Sequence, residues 1–127
     1  MSQPEDWSFQ LYELGREAMV RREYEAALAF LRSSVELLPH FKTLELLGEC
    51  LLESGHVSSE AVTILAAAAG LGNRAFRSYF LLARALHVCG RTKEALEKLD
   101  IALVLQPDFK AAAQLREELL RHGRNSL

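Results

Sequence analysis

Four histidines, His40, His56, His87 and His122, and two cysteines, Cys50 and Cys89, are the side chains of this 127-residue chain best suited to nucleophilic or metal chemistry. Their spacing does not assemble it. His87 and Cys89 stand two apart, which sets them on different sides of a helix and spoils a nucleophile–base pair. Neither cysteine lies in a Cys-x-x-Cys pair, and no His-Glu-x-x-His or clustered Cys/His spacing appears. A glycine-rich phosphate loop is missing as well, and carboxylates such as Glu117 and Glu118 read as a solvated helix face. The expectation is therefore no catalytic residue, no metal site and no cofactor. Two cysteines cannot build a disulfide framework; they read as reduced thiols in an intracellular helical core, Cys89 near a helix end.

Chemistry thus yields to binding, and composition limits the partners. Half of the residues are apolar and 25% are charged, with a net charge of −2 and a pI near 6.1. That balance gives no global attraction to nucleic acid or anionic lipid. Basic residues such as Arg21, Arg22, Arg74 and Arg77 are interleaved with acids, so no basic stripe for nucleic acid emerges. The greasiest run, Ile64 to Leu71, is half alanine and far short of the ~20 residues that span a bilayer. Met-Ser-Gln-Pro-Glu-Asp-Trp at the amino terminus lacks the basic and apolar regions of a signal peptide. No nucleic acid, no membrane insertion and a cytoplasmic location are expected.

Ala, Leu, Glu and Arg dominate, and only three prolines interrupt them, which favours helix. The pattern is also periodic. Ala27, Ala61 and Ala95 are 34 apart, as are Leu31, Leu65 and Leu99, and Leu37, Leu71 and Leu105. Ser34, Ala68 and Ala102 add a small-residue column, and Pro39 and Pro107 are two periods apart. Upstream in each unit, Leu11-x-x-Leu14-Gly15-x-x-Ala18 is echoed by Leu44-x-x-Leu47-Gly48-x-x-Leu51 and Tyr79-x-x-Leu82-Ala83-x-x-Leu86. The middle copy is displaced by one, so its turn at residues 55–58 should hold one extra residue and the link before it one fewer.

Each unit reads as two antiparallel helices. The first helices are expected at about Trp7–Arg21, Lys42–Glu53 and Arg74–Val88, and the second at about Tyr24–Leu37, Ser59–Ala69 and Thr92–Leu105. Gly55 and Gly90 stand where a left-handed cap is wanted. Ser58 or Ser59, Thr92 and Asp108 are placed to cap the helices that follow. Gly15, Gly48 and Ala83 should let the helices of a pair approach closely against Ala27, Ala61 and Ala95. A seventh helix at about 108–121, with Phe109, Ala112, Leu115 and Leu119 on one stripe, would close the stack, leaving a frayed tail from His122.

A 34-residue period with this Leu-Gly, Ala and Pro pattern resembles the tetratricopeptide repeat (TPR) family. Leu11 and Leu44 replace its usual aromatic, Ala83 its glycine and Asn73 its proline. The resemblance implies an all-α fold, a right-handed α-α superhelix of three TPR helix pairs plus a capping helix. The whole of 1–127 would be one domain, with repeats at about 8–39, 41–73 and 76–107. It also implies that ligands lie on the inner surface lined by the first helix of each pair. One spacing in every copy places Phe9, Tyr12, Arg16 and Met19 there, then Lys42, Glu45, Glu49 and Leu52, then Arg77, Phe80, Arg84 and His87.

Phe9, Tyr12, Met19 and Phe80 suggest an apolar groove flanked by Arg16, Arg77 and Arg84. It would suit an amphipathic helix or an extended segment carrying apolar and acidic groups. Alternatively Phe9 and Tyr12 merely cover the open end of the first unit. Glu45 and Glu49 argue against a uniformly acidic ligand, or are simply solvated. Some members of the family clamp the terminal carboxylate of heat-shock chaperones; the matching positions here hold Tyr12, Arg16, Leu46, Phe80 and Arg84, and only Arg84 agrees in kind. The leading expectation is a non-catalytic scaffold or adaptor for a protein or peptide partner. A small chaperone shielding an apolar client segment, and a self-association module, are the rival readings.

Overall fold

The computed structural model describes residues 3–56 and 59–125, the last two of these by backbone alone. The described residues form seven α-helices and no strand: α1 (Pro4–Val20), α2 (Tyr24–Leu37), α3 (Phe41–Glu53), α4 (Ser59–Leu71), α5 (Phe76–Val88), α6 (Thr92–Leu105) and α7 (Lys110–Asn125). Each helix packs on the next along the chain, and α1 also touches α3 while α3 touches α5. Consecutive pairs therefore stack, with α1, α3 and α5 side by side along one face.

The repeating small and leucine columns make the core. Ala27, Ala61, Ala95, Leu31, Leu65, Leu99, Ser34, Ala68 and Ala102 are all 0% exposed. A Cβ on Gly15 would lie 2.6 Å from Leu31 Cγ, and one on Gly48 would collide with Leu65 in the same way. The glycine of the first helix thus admits the leucine of the second, which is why the two columns share a period. Ala83 holds this place in the third pair and is itself fully buried. Burying each leucine contributes roughly 1.5–3 kcal/mol. The fourth column differs. Leu37 and Leu71 are 46% and 60% exposed, because they end their helices where the chain turns away.

Turns follow the same register. Gly55 and Gly90 have φ of +76° and +81°, and the equivalent place in the first pair is held by Arg22 at +60°. Arg74, at φ +57°, is likewise left-handed, so α5 begins at Phe76 and not at Arg74. The expected caps are corrected at two sites. Thr92 is the first residue of α6, and its Oγ1 sits 3.1 Å from His87 Nδ1 instead of capping the helix. The Asp108 carboxylate accepts from Gln106 Nε2, and α7 begins two residues later. Ser58 and part of the 55–58 turn lie outside the described residues, and Ser59 is the first residue of α4. The link 38–40 is indeed one residue shorter than 72–75 and 106–109. His40, which the sequence did not suggest, caps α3 by accepting the Lys42 N–H at 3.2 Å.

Two polar ties fix the first pairs. Ser34 Oγ donates to the Ser8 carbonyl at 2.7 Å, and Ser8 Oγ returns a bond to the Ser34 carbonyl at 3.0 Å. Farther along, Cys50 Sγ lies 3.6 Å from the Tyr24 carbonyl, and burial pushes its thiol up to about 11. At the far end α7 covers α6 with Ala112 and Leu119 buried, while Arg116 Nε reaches Asp100 at 2.7 Å. The helix continues past His122 to Asn125, so the segment from His122 expected to fray is helical as far as it is described.

Candidate functional site

α1, α3 and α5 bring the three sets of expected groove residues onto neighbouring helices. Their side chains do not form one uniform strip. In the middle, Arg77 of α5 reaches back to α3, pairing with Glu45 at 3.1 Å and with Glu49. The second Glu45 oxygen accepts the Ser78 hydroxyl at 2.5 Å. Glu45 is only 6% exposed, so it is not the solvated carboxylate that its neighbourhood in sequence allowed. Burial disfavours the charged guanidinium of Arg77, yet the carboxylates of Glu49 and Glu45 outweigh it and hold its pKa above the ordinary value.

The other arginines of the face are answered too. Arg16 forms a two-point pair with Glu13 on its own helix, at 2.9 and 3.3 Å. Arg84 meets Glu53 at 3.2 Å. Lys42 is different: its Nζ lies over the Phe41 ring, 5.2 Å from the centroid.

The apolar members separate into two places. Phe80 is half-buried, in edge-on contact with Phe109 at 5.1 Å, and Phe109 in turn meets Phe76 at 5.3 Å. Met19 and Leu52 pack against the core. His87 is turned toward α6 through Thr92. Phe9 is 62% exposed and sits 6.4 Å, ring to ring, from the half-buried Tyr12. Burial raises the Tyr12 phenol above its usual pKa.

Phe9 and Tyr12 form one wall of a cleft of about 360 Å³ between the amino-terminal halves of α1 and α3. Leu38, Thr43, His40 and Lys42 face them, with Glu5 and Ser8 at the α1 side. The size and mostly apolar walls suit one large side chain of a ligand. Phe9, Tyr12 and Lys42, expected from the sequence on the inner face, line this cleft, and His40 and Leu38 line it without having been expected. They come from the link between the pairs, where no helical spacing marks which residues turn inward. Among the described residues, no three His, Cys, Asp or Glu side chains gather as a metal ion would require. No helix among them is long and apolar enough to cross a membrane.

Stacked antiparallel pairs, closed by a polar-backed helix and bearing a cleft on the odd-helix side, define a helical-repeat protein. The fold is that of the tetratricopeptide-repeat domains, an all-α solenoid. The Arabidopsis OM64 TPR domain superposes with a TM-score of 0.89 at 21% identity, over 94% of this chain and 99% of that one. The first TPR of Spaghetti (RPAP3), bound to the HSP90 peptide SRMEEVD, gives 0.88 at 14% identity, over 93% and 94% of the two chains. YrrB, a TPR protein with an unusual peptide-binding site, gives 0.80 at 24% identity, over 87% of this chain and 57% of that one. No protein-family model matches the chain, and no curated protein matches it.

Proposed function

We propose that this chain is a non-catalytic interaction module. It is one domain of three units, about 8–39, 41–73 and 76–107, closed by its seventh helix. It binds a peptide or helix of a partner protein on the α1–α3–α5 face. The observation that carries this reading is the cleft walled by Phe9 and Tyr12, an apolar hollow on the side of the stack where the odd helices meet. Among solved neighbours of the same fold, one is bound to an HSP90 peptide and another, the TPR2B domain of yeast Sti1, is in a pHsp70 complex. The residues assigned to the face are Phe9, Tyr12, Arg16, Met19, Lys42, Glu45, Glu49, Leu52, Arg77, Phe80, Arg84 and His87. Within that set, the Glu45–Arg77–Glu49 cluster shapes and stiffens the floor, while Phe9, Tyr12 and Lys42 touch the ligand.

Selection of random displayed peptides on the immobilised chain tests the reading. Binders should lose at least tenfold in affinity to Tyr12→Ala/Phe80→Ala at unchanged helicity, an order set by the apolar area removed. Phe9→Ser, whose side chain is mostly exposed, gives the same answer without risk to folding. No enrichment, or binding undiminished in both variants, refutes the assignment.

A second reading has its own observation. Trp7 and Leu14 are 51% and 43% exposed on α1, whereas Leu47 and Leu82, the counterparts of Leu14, are buried. Self-association through that side of α1 would cover them. Light scattering that shows mass rising with concentration, and lost in Leu14→Ser, would favour it.

A further inference from the structure

We propose that the cleft between α1 and α3 takes an apolar side chain followed directly by a single Asp or Glu, within an internal segment of the partner. The inference rests on the binding reading above and names the chemistry that the cleft selects. Charge decides where an acid would go. Arg16, Arg77 and Arg84 are each held by glutamates of this chain, so an incoming carboxylate would have to displace Glu13, Glu45 and Glu49, or Glu53 to reach them. Lys42 has a ring beneath its ammonium and no carboxylate in pairing reach among the described residues. A carboxylate there gains a partner and displaces none.

The neighbouring groups fit the same occupant. Phe9, Tyr12 and Leu38 supply apolar walls within the cleft that Lys42 lines. His40 accepts the Lys42 amide on Nδ1, which leaves the imidazole proton on Nε2 as a donor at that rim. Glu5 lines the α1 side and would repel a second acid, which limits the segment to one. A chain-terminal carboxylate is not the expected occupant, since Lys42 is the one Lys or Arg among the described residues lining the cleft and Arg16, Arg77 and Arg84 are already paired, which leaves no multi-point cationic cradle.

The test is amide-shift mapping of the isotope-labelled chain with the blocked peptide acetyl-Gly-Ser-Phe-Asp-Gly-Ser-amide. Shifts should centre on Phe9, Tyr12 and Thr43. Changing the probe's Asp to Asn should weaken binding about two- to fivefold, as should Lys42→Met, and the two changes together should cost no more than either alone. Arg32→Met should leave the affinity within about twofold, because that arginine is paired with Glu60 and lies on α2, outside the α1–α3–α5 face. Replacing the probe's Phe with Ala should cost about tenfold or more. Equal binding of the Asp and Asn probes, shifts centred on α5 or α7, or no binding at millimolar probe overturns the proposal. If displayed peptides still require Tyr12 and Phe80 while this probe fails, only the apolar–acid selectivity falls. If neither binds, the groove falls with it.

Discussion

Arg22 sits in a left-handed conformation that its two counterparts reach with glycine, at φ +60° against +76° for Gly55 and +81° for Gly90. A side chain there costs about 1–2 kcal/mol, partly offset by the freedom that glycine would regain in the unfolded chain. Arg22→Gly should therefore raise the stability by about 0.5–1 kcal/mol, read as a higher urea midpoint at unchanged slope. Gly15 is the opposite case. Its space is filled by Leu31, so Gly15→Ala should lower the stability by about 1–3 kcal/mol in the same titration. Gly15 was legible from sequence because excluded volume demands a small residue opposite a large one, and the demand recurs in Gly48 and Ala83. Arg22 was not, since nothing in an arginine signals a positive φ. Only its register with Gly55 and Gly90 does.

At the scale of helices, spacing located the pairs but not their ends. α1 begins at Pro4, three residues before Trp7, where the Asp6 carboxylate takes the Gln3 N–H at 3.2 Å. α5 starts late because Arg74 is left-handed, and α7 starts late because Asp108 is engaged by Gln106. Caps are local choices among competing hydrogen bonds, so side-chain type alone does not settle them. Contacts between helices were harder still. Glu45 and Arg77 lie 32 apart, and only the docking of α5 against α3 reveals that they meet. Arg77→Ala leaves a buried carboxylate with Ser78 as its remaining partner, and should destabilise by about 1–3 kcal/mol. Glu45→Gln introduced into that variant should restore part of the loss, because a neutral amide is cheaper to bury than an unpaired charge. A loss under 0.5 kcal/mol, or no rescue, would assign the cluster to the solvated surface, where about that little is expected.

For the molecule as a whole, period was more informative than composition. Four columns at 34 residues implied paired helices in a stack, and three of those columns are fully buried. Among the described residues, the main helix contacts run between neighbouring pairs, as in stacked repeats, so the architecture follows from one unit and its repetition. The candidate face was legible only as a set of positions. Which of them are engaged by the protein itself depends on ion pairs and on Phe109, which reaches Phe80 from beyond the third unit. The internal pairing of the arginines has a kinetic corollary. A face whose arginines carry their own counter-ions, with Lys42 the cation left unpaired there among the described residues, projects little field into solvent, so a ligand must find it by largely unaided diffusion. Stopped-flow association of any selected peptide should proceed at about 10⁵–10⁷ M⁻¹s⁻¹ and change by less than about threefold between low and physiological salt. A steep decline with salt would mean that the glutamates let go of their arginines before the ligand arrives.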